Sequence, residues 1–559
     1  MKVIAAFLAI SLARLCSVGD AAPTSEKPTA TIRNGTYVGV QNAHYNQDYF
    51  LGIPYAQQPV GNLRFTVPRS LNETWEGTRE AKEYSEICVG YGTDSIWYPQ
   101  GEACLTLNVI RDSSVDAASN IPVGVWIHGG GFVQGSGADQ RYNMSAIVAN
   151  SHRIGKPFIG VTLNYRLSTW GFLGSKETTE SGNTNLGLRD QRLALHWIQE
   201  NIAAFGGDPS KVTIFGESAG GMSVGAQLIA YGGRDDGLFR AAIMQSGGSV
   251  TASPMNTTAY QGMYEEIVEK VGCRSARDTL QCLREAPFET LSAVFNGTDG
   301  SPAYGFSPAV DHDLIRERGS NQLDKHEFVK VPIIAGTNTD EGASFGPTGI
   351  NTTEQFYRYL TGGDSGFKLP PPIAREILDL YPDDPSQGIP AFLGSQRISS
   401  KGYQWRRTSA YAGDYSMHAN RRRQCEAWVE AGVPAYCYRF NMRSGNTDYL
   451  SGAAHFEEVA FVFDNIAGLG YHYGLPFKGM PETYSRLSTM MASMWAAFIH
   501  DLDPNSGVDA DVYWEGYGVE QPVDIVFDAN VTGLGYMEDD TWRKEGIDFI
   551  NSVAKALWR

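Results

Sequence analysis

Val212 to Gly221 read Val-Thr-Ile-Phe-Gly-Glu-Ser-Ala-Gly-Gly, and this stretch decides the fold. Four strand-forming residues run into Gly216-Glu217-Ser218-Ala219-Gly220, and a helix-compatible run follows over 222–230. Alone, Gly-x-Ser-x-Gly is an ordinary glycine–serine turn. Between a strand and a helix it is the pattern that lifts a serine hydroxyl off the tip of a sheet, above the N-terminus of the next helix. Small residues two positions before and after the serine let strand and helix pass closely.

Outward from this turn, apolar β-branched runs alternate with helical stretches. Strands are expected at 123–127, 157–163, 212–215, 241–245, 331–335, 434–440 and 524–527. Helices are expected at 186–202, 219–230, 260–271, 484–499 and 542–557. This alternation predicts an α/β fold with a mostly parallel sheet and helices on both faces. Ligands of such sheets sit beyond the carboxyl ends of the strands, where Ser218 is delivered. The Met/Trp-rich stretch 490–498 has helical spacing and no charge, so it reads as a core helix.

The chain has 559 residues, 42% of them hydrophobic and 19% charged, an ordinary globular balance. Its 45 basic and 62 acidic side chains leave a net charge of −17. That excludes the basic footprint of a nucleic-acid binder and disfavours anionic membranes. Neither a HExxH zinc motif nor a P-loop lysine motif is present, so no metal and no organic cofactor is expected.

A second motif lies upstream at Trp126-Ile127-His128-Gly129-Gly130-Gly131-Phe132. A strand ending in three glycines can turn its N–H groups towards a developing negative charge. With the serine turn it makes a resemblance plain. From about residue 30 onwards the chain resembles the type-B carboxylesterase/lipase family of cholinesterase-like α/β-hydrolases, and most of all the secreted fungal carboxylesterases. The resemblance covers Tyr49-Phe50-Leu51-Gly52-Ile53-Pro54-Tyr55-Ala56, Gly61-Asn62-Leu63-Arg64-Phe65 and Cys104-Leu105-Thr106-Leu107-Asn108-Val109. It continues through Asn164-Tyr165-Arg166-Leu167 and is densest over Asn185-Leu186-Gly187-Leu188-Arg189-Asp190-Gln191 and 201–221.

The resemblance implies an α/β-hydrolase catalytic domain over 22–559 and hydrolysis of carboxylic esters. It places an acid on Glu341 in Thr337-Asn338-Thr339-Asp340-Glu341-Gly342, with Asp340 the competing carboxylate. It places a histidine on His455, which follows Ser218 and Glu341 in the family's order. Gly130, Gly131 and Ala219 would receive the oxyanion through their N–H groups. Ser218, Glu341 and His455 would then carry acyl transfer through a covalent intermediate.

The first residues, MKVIAAFLAISLARLCSVGDAAPT, combine Lys2, an apolar run at 3–12 and small residues at 19–21. This is the pattern of a secretory signal peptide over 1–21 and predicts an extracellular protein without a membrane anchor. Beyond it stand Cys88, Cys104, Cys273, Cys282, Cys425 and Cys437. Six cysteines allow fifteen pairings; sequence-local pairs 88–104, 273–282 and 425–437 are favoured. N-glycosylation sequons begin at Asn34, Asn72, Asn143, Asn256, Asn296, Asn351 and Asn530.

In the family the first disulfide loop covers the substrate gorge, and in lipases it is a long lid. Here only residues 89–103 separate the cysteines, so a plain esterase for soluble, short-acyl esters is expected, with a triacylglycerol lipase or steryl esterase as the alternative. Cholinesterase activity is disfavoured because the spacing of Trp97 and Tyr98 to Cys104 does not match the family's choline-binding tryptophan. Ala103 stands where the family has an acid, which puts one structural hydrogen bond in question. The reading from another class is a non-catalytic adhesion protein of the same fold, which would typically lack the serine.

Overall fold

The computed structural model describes residues 27–250, 256–363, 368–557 and 559. The expected signal peptide lies outside them. The centre is an eleven-stranded sheet. In chain order its strands are β1 (Val40–Asn42), β2 (Gln47–Pro54), β3 (Thr106–Asp112), β4 (Ile121–Ile127), β5 (Ile159–Leu163), β6 (Gly207–Glu217), β7 (Ala241–Gln245), β8 (Ile333–Asn338), β9 (Ala435–Phe440), β10 (Val523–Phe527) and β11 (Gly535–Asp539). In space they run β1-β2-β3-β5-β4-β6-β7-β8-β9-β10-β11. From β5 to β10 every pairing is parallel, while the outer strands pair antiparallel.

The strand period of two sorts side chains into two cores. Val123, Val125, Ile127, Val212, Ile214, Ala242 and Met244 join one cluster, which helices Leu186–Asn201 and Ala219–Gly233 complete. Trp126, Phe215, Ala241 and Ile243 point the other way, into a cluster with helix Glu482–Asp501, whose Met491, Met494 and Trp495 are fully buried. A sheet apolar on both faces must be covered on both, as the sequence pattern predicts. A third cluster, with Phe356, Leu360, Ile377, Tyr411 and Ile550, joins helices Thr353–Gly362, Pro371–Leu380, Trp405–Gly413 and Lys544–Ser552.

All seven expected strands are present. The pattern did not reveal β1, β2, β3 or β11. β2 opens on Gln47 and Asp48, both buried: Gln47 donates to the Ser145 carbonyl at 2.8 Å, and Asp48 pairs with Arg111 at 3.3 Å. Polar residues satisfied in this way hide a buried strand from a hydropathy reading. The last helix is shorter than its expected span, Lys544–Ser552. Arg543 is held at φ 46° before it, with its guanidinium on both oxygens of Asp414 at 2.7 Å.

The three disulfides join Cys88 to Cys104, Cys273 to Cys282 and Cys425 to Cys437. Among the described residues no helix is long and apolar enough to cross a membrane.

Candidate active site

β6 ends at Glu217 and helix Ala219–Gly233 begins one residue later. Ser218 bridges them at φ 56°, ψ −124°, a backbone geometry that costs a non-glycine residue of order 1–3 kcal/mol. Its N–H donates to the Gln245 carbonyl at 2.9 Å, which ties the turn to β7. The flanking glycines have a steric reason. A Cβ on Gly216 would fall 2.6 Å from the Ile127 carbonyl oxygen, and one on Gly220 would fall 2.0 Å from the same atom.

β4 delivers the glycine loop beside this turn. Gly130, Gly131 and Phe132 all have positive φ (94°, 63° and 62°), and a Cβ on Gly130 would sit 2.3 Å from the Gln134 carbonyl. The Gly130 carbonyl points back, accepting from the N–H groups of Val133 and Gln134. Among the described residues neither Gly130 nor Gly131 donates a hydrogen bond from its own N–H. Gly129 lies against the nucleophile candidate, since a Cβ there would be 3.1 Å from Ser218 Cβ. His128 shapes the loop: its Nδ1 donates to the Gly129 carbonyl at 2.9 Å and its ring stacks on Tyr165. Burial pulls its pKa down to about 4, which keeps it neutral.

The acid and the imidazole meet directly. Glu341, just past β8, places Oε2 2.7 Å from His455 Nδ1. Its Oε1 accepts from Ser246 Oγ at 2.5 Å and from the Asn338 N–H at 2.8 Å, so the carboxylate cannot rotate away. Asp340 faces elsewhere and accepts the Ala453 N–H at 2.9 Å. His455 Nε2 lies 3.2 Å from Oε1 of Glu217, the residue before Ser218. Among the described residues no hydrogen bond joins Ser218 Oγ to His455, whose polar partners are Glu341 and Glu217. Phe345 packs its ring against the imidazole at 4.8 Å.

A third buried acid stands behind. Glu458 accepts from Asn338 Nδ2 at 2.7 Å and Gln245 Nε2 at 3.3 Å, and Gln245 Oε1 accepts from Trp495 Nε1 at 3.1 Å. Three carboxyl groups around one imidazole set its proton affinity. Burial alone lowers the His455 pKa, but Glu217 and Glu341 outweigh it and raise the value to about 9. Burial raises Glu217 well above the carboxylate range, although His455 opposes the shift. Burial, then the charge of Glu341, pushes Glu458 up to about 7. Glu217, Glu458, Ser246 and Asn338 escaped the sequence reading. The only signal for Glu217 was its place inside the serine motif, and for Glu458 its place three residues after His455.

Beside Gly131 a cavity of ≈160 Å³ opens, lined by Phe132, Leu188, Met222, Ala226, Ile229 and Ile315 among others. The short disulfide loop packs against the 139–141 and 471–473 segments. Its tip residue Trp97 is exposed and stacks on His472 at 4.0 Å, and the Tyr98 hydroxyl accepts from the Gln140 N–H at 3.1 Å. Glu102, beside Ala103, clasps Arg64 at 2.5 and 2.7 Å. Of the sequon asparagines, Asn72, Asn256, Asn296, Asn351 and Asn530 are exposed, while Asn34 and Asn143 are half-buried.

This chain is an α/β-hydrolase, a carboxylic ester hydrolase. Residues 26–538 match the carboxylesterase family, and the chain belongs to that family. It is 33% identical to lipase 4 of Diutina rugosa over 97% of this chain and 98% of the relative. To the para-nitrobenzyl esterase of Bacillus subtilis it is 32% identical over 86% of this chain and 91% of the relative. The crystal structure of EstA from Aspergillus niger superposes with a TM-score of 0.81 at 27% identity, covering 95% of this chain and 99% of that one.

Proposed function

We propose that this protein is a secreted serine carboxylesterase for soluble, short-acyl esters. The observation that carries the reading is His455, held by Glu341 through Nδ1 and facing through Nε2 the carboxyl group of Glu217, the residue before Ser218. Neutral His455 takes the Ser218 proton as Oγ attacks the ester carbonyl. Glu341 fixes the tautomer and stabilises the imidazolium. The N–H groups of Gly130, Gly131 and Ala219 receive the oxyanion. His455 then protonates the departing alcohol, and water repeats the sequence to free the acid.

Chain-length preference is read from the cavity beside Gly131. At ≈160 Å³ it is a small cavity, which supports a short acyl chain over a long one. The relative named a lipase favours the alternative of a longer-chain triacylglycerol substrate. Secretion is supported by the N-terminal pattern and the three disulfides.

The test is a rate series over p-nitrophenyl esters of rising acyl length, run with wild type and Ser218→Ala, together with covalent labelling by a serine-reactive phosphonate. The reading expects labelling and turnover of wild type only, a maximum at short chains, and no jump in rate at the substrate's solubility limit. An unlabelled wild type would favour the adhesion reading, and a jump at the solubility limit the lipase.

A further inference from the structure

On the outer side of the loop that carries His455 lies a second groove, of ≈360 Å³, remote from the Gly131 cavity in its lining. Thr339, Asp340, Phe392, Tyr449, Tyr484 and Asn530 contribute to its walls. Two features mark it. Phe392 and Tyr449 are 52% and 59% exposed, yet meet edge to face at 4.9 Å. Asn530 opens the sequon Asn530-Val531-Thr532 and lines the groove, with Nδ2 3.7 Å from Met442 Sδ, another lining atom.

Exposed aromatic faces suit a sugar, because the C–H face of a pyranose covers a ring. We propose that the groove is the seat of an N-linked glycan attached to Asn530, and that its first N-acetylhexosamine packs on Tyr449 and Phe392. Attachment forms a bond between Asn530 Nδ2 and C1 of a lipid-pyrophosphate-linked oligosaccharide, breaks the C1–O bond to the pyrophosphate leaving group and releases the amide proton. The glycan then braces residues 449–453, two positions before His455. The inference rests on the secreted reading of the chain.

The test uses the full chain secreted from a yeast host. Glycopeptide mass spectrometry should find Asn530 occupied. Endoglycosidase digestion of the native protein should release that glycan about tenfold more slowly than the one on exposed Asn72, the expectation for two aromatic contacts. Phe392→Ala with Tyr449→Ala should abolish the protection. Both positions are exposed, so the variant folds. Thr532→Ala, which removes the sequon at an exposed position, should raise deuterium uptake across 446–456. An unoccupied Asn530 among occupied sequons, release at the Asn72 rate, protection unchanged in the double variant, or unaltered uptake in Thr532→Ala would each overturn the proposal. If every sequon is bare, the secreted reading falls with it. No arm reads ester turnover, so failure of the hydrolytic mechanism would be seen separately.

Discussion

Nε2 of His455 lies 3.2 Å from Oε1 of Glu217, and Glu217 is covalently next to Ser218. The imidazole thus has a carboxyl group at each nitrogen, Glu341 hydrogen-bonded to Nδ1 and Glu217 facing Nε2 without a hydrogen bond. The pair retains a proton more tightly than a free histidine does. A base that must be neutral to act therefore loses activity as pH falls through a value above the ordinary 6.5. Glu217→Gln removes the carboxyl group that, with Glu341, raises the imidazole pKa. The acidic limb of the kcat/KM profile should move down by about one pH unit or more, as expected for the loss of a carboxyl group at this distance. A pH–rate profile of both proteins checks this; an unmoved limb would show that Glu217 does not govern the imidazole.

Ser218 sits at φ 56°. Ser218→Gly should abolish turnover while relieving backbone strain, for a net gain of about 1 kcal/mol after the entropy of the unfolded glycine is counted. Thermal unfolding and an ester assay on the same sample test both halves. Loss of stability would mean that the turn stores no strain.

Gly130 has φ 94°, and a Cβ there would meet the Gln134 carbonyl at 2.3 Å. Gly130→Ala must displace the loop and with it the N–H donors. The expected loss in kcat is about a hundred- to a thousandfold, with KM for a small ester little changed. Steady-state kinetics on a p-nitrophenyl ester measure the split.

Ala226 and Ile229 line the cavity beside Gly131 from the helix that follows Ser218. Ala226→Leu should shorten the preferred acyl chain, and Ile229→Ala should lengthen it, by roughly two carbons each, given about 0.8 kcal/mol per buried methylene. An acyl-length series in which both variants keep the wild-type maximum would move the acyl site elsewhere.

Asp540 carries a buried ion-pair network: Arg421 binds its two oxygens at 2.7 and 2.8 Å, Arg422 at 2.7 and 3.1 Å, and the Tyr517 hydroxyl donates at 2.9 Å. Burial raises the carboxyl pKa, but Arg421 and Arg422 outweigh it and hold it below the ordinary range. A depressed folded pKa contributes stability above the unfolded value and loses it as pH falls through the folded one. Asp540→Asn should cost about 3–5 kcal/mol at neutral pH, and its Tm should depend less on acid pH than that of wild type. Thermal melts across pH 3–7 give the comparison.

A candidate nucleophile turn, acid and histidine could be named from the sequence because each stands in a local pattern. Val212–Phe215 announces a strand, the glycines announce close approach, and the Ile127–Gly131 run announces a turn of free N–H groups. The same locality made the central parallel strands readable, since both of their faces are apolar. What local patterns cannot carry is the partner of a buried polar group. Helix Ala419–Glu430 contains Arg421, Arg422 and Arg423, a run that reads as surface, yet Arg421 and Arg422 are buried because Asp540, more than a hundred residues away, neutralises them. Glu217 and Glu458 became electrostatic partners of His455 only when β6, β8 and the 452–458 loop closed on one another. Sequence alone determined which groups could react and in what order they occur; the tertiary structure decided their proton affinities, because charge–charge energies depend on through-space distance and burial, which separation along the chain does not encode.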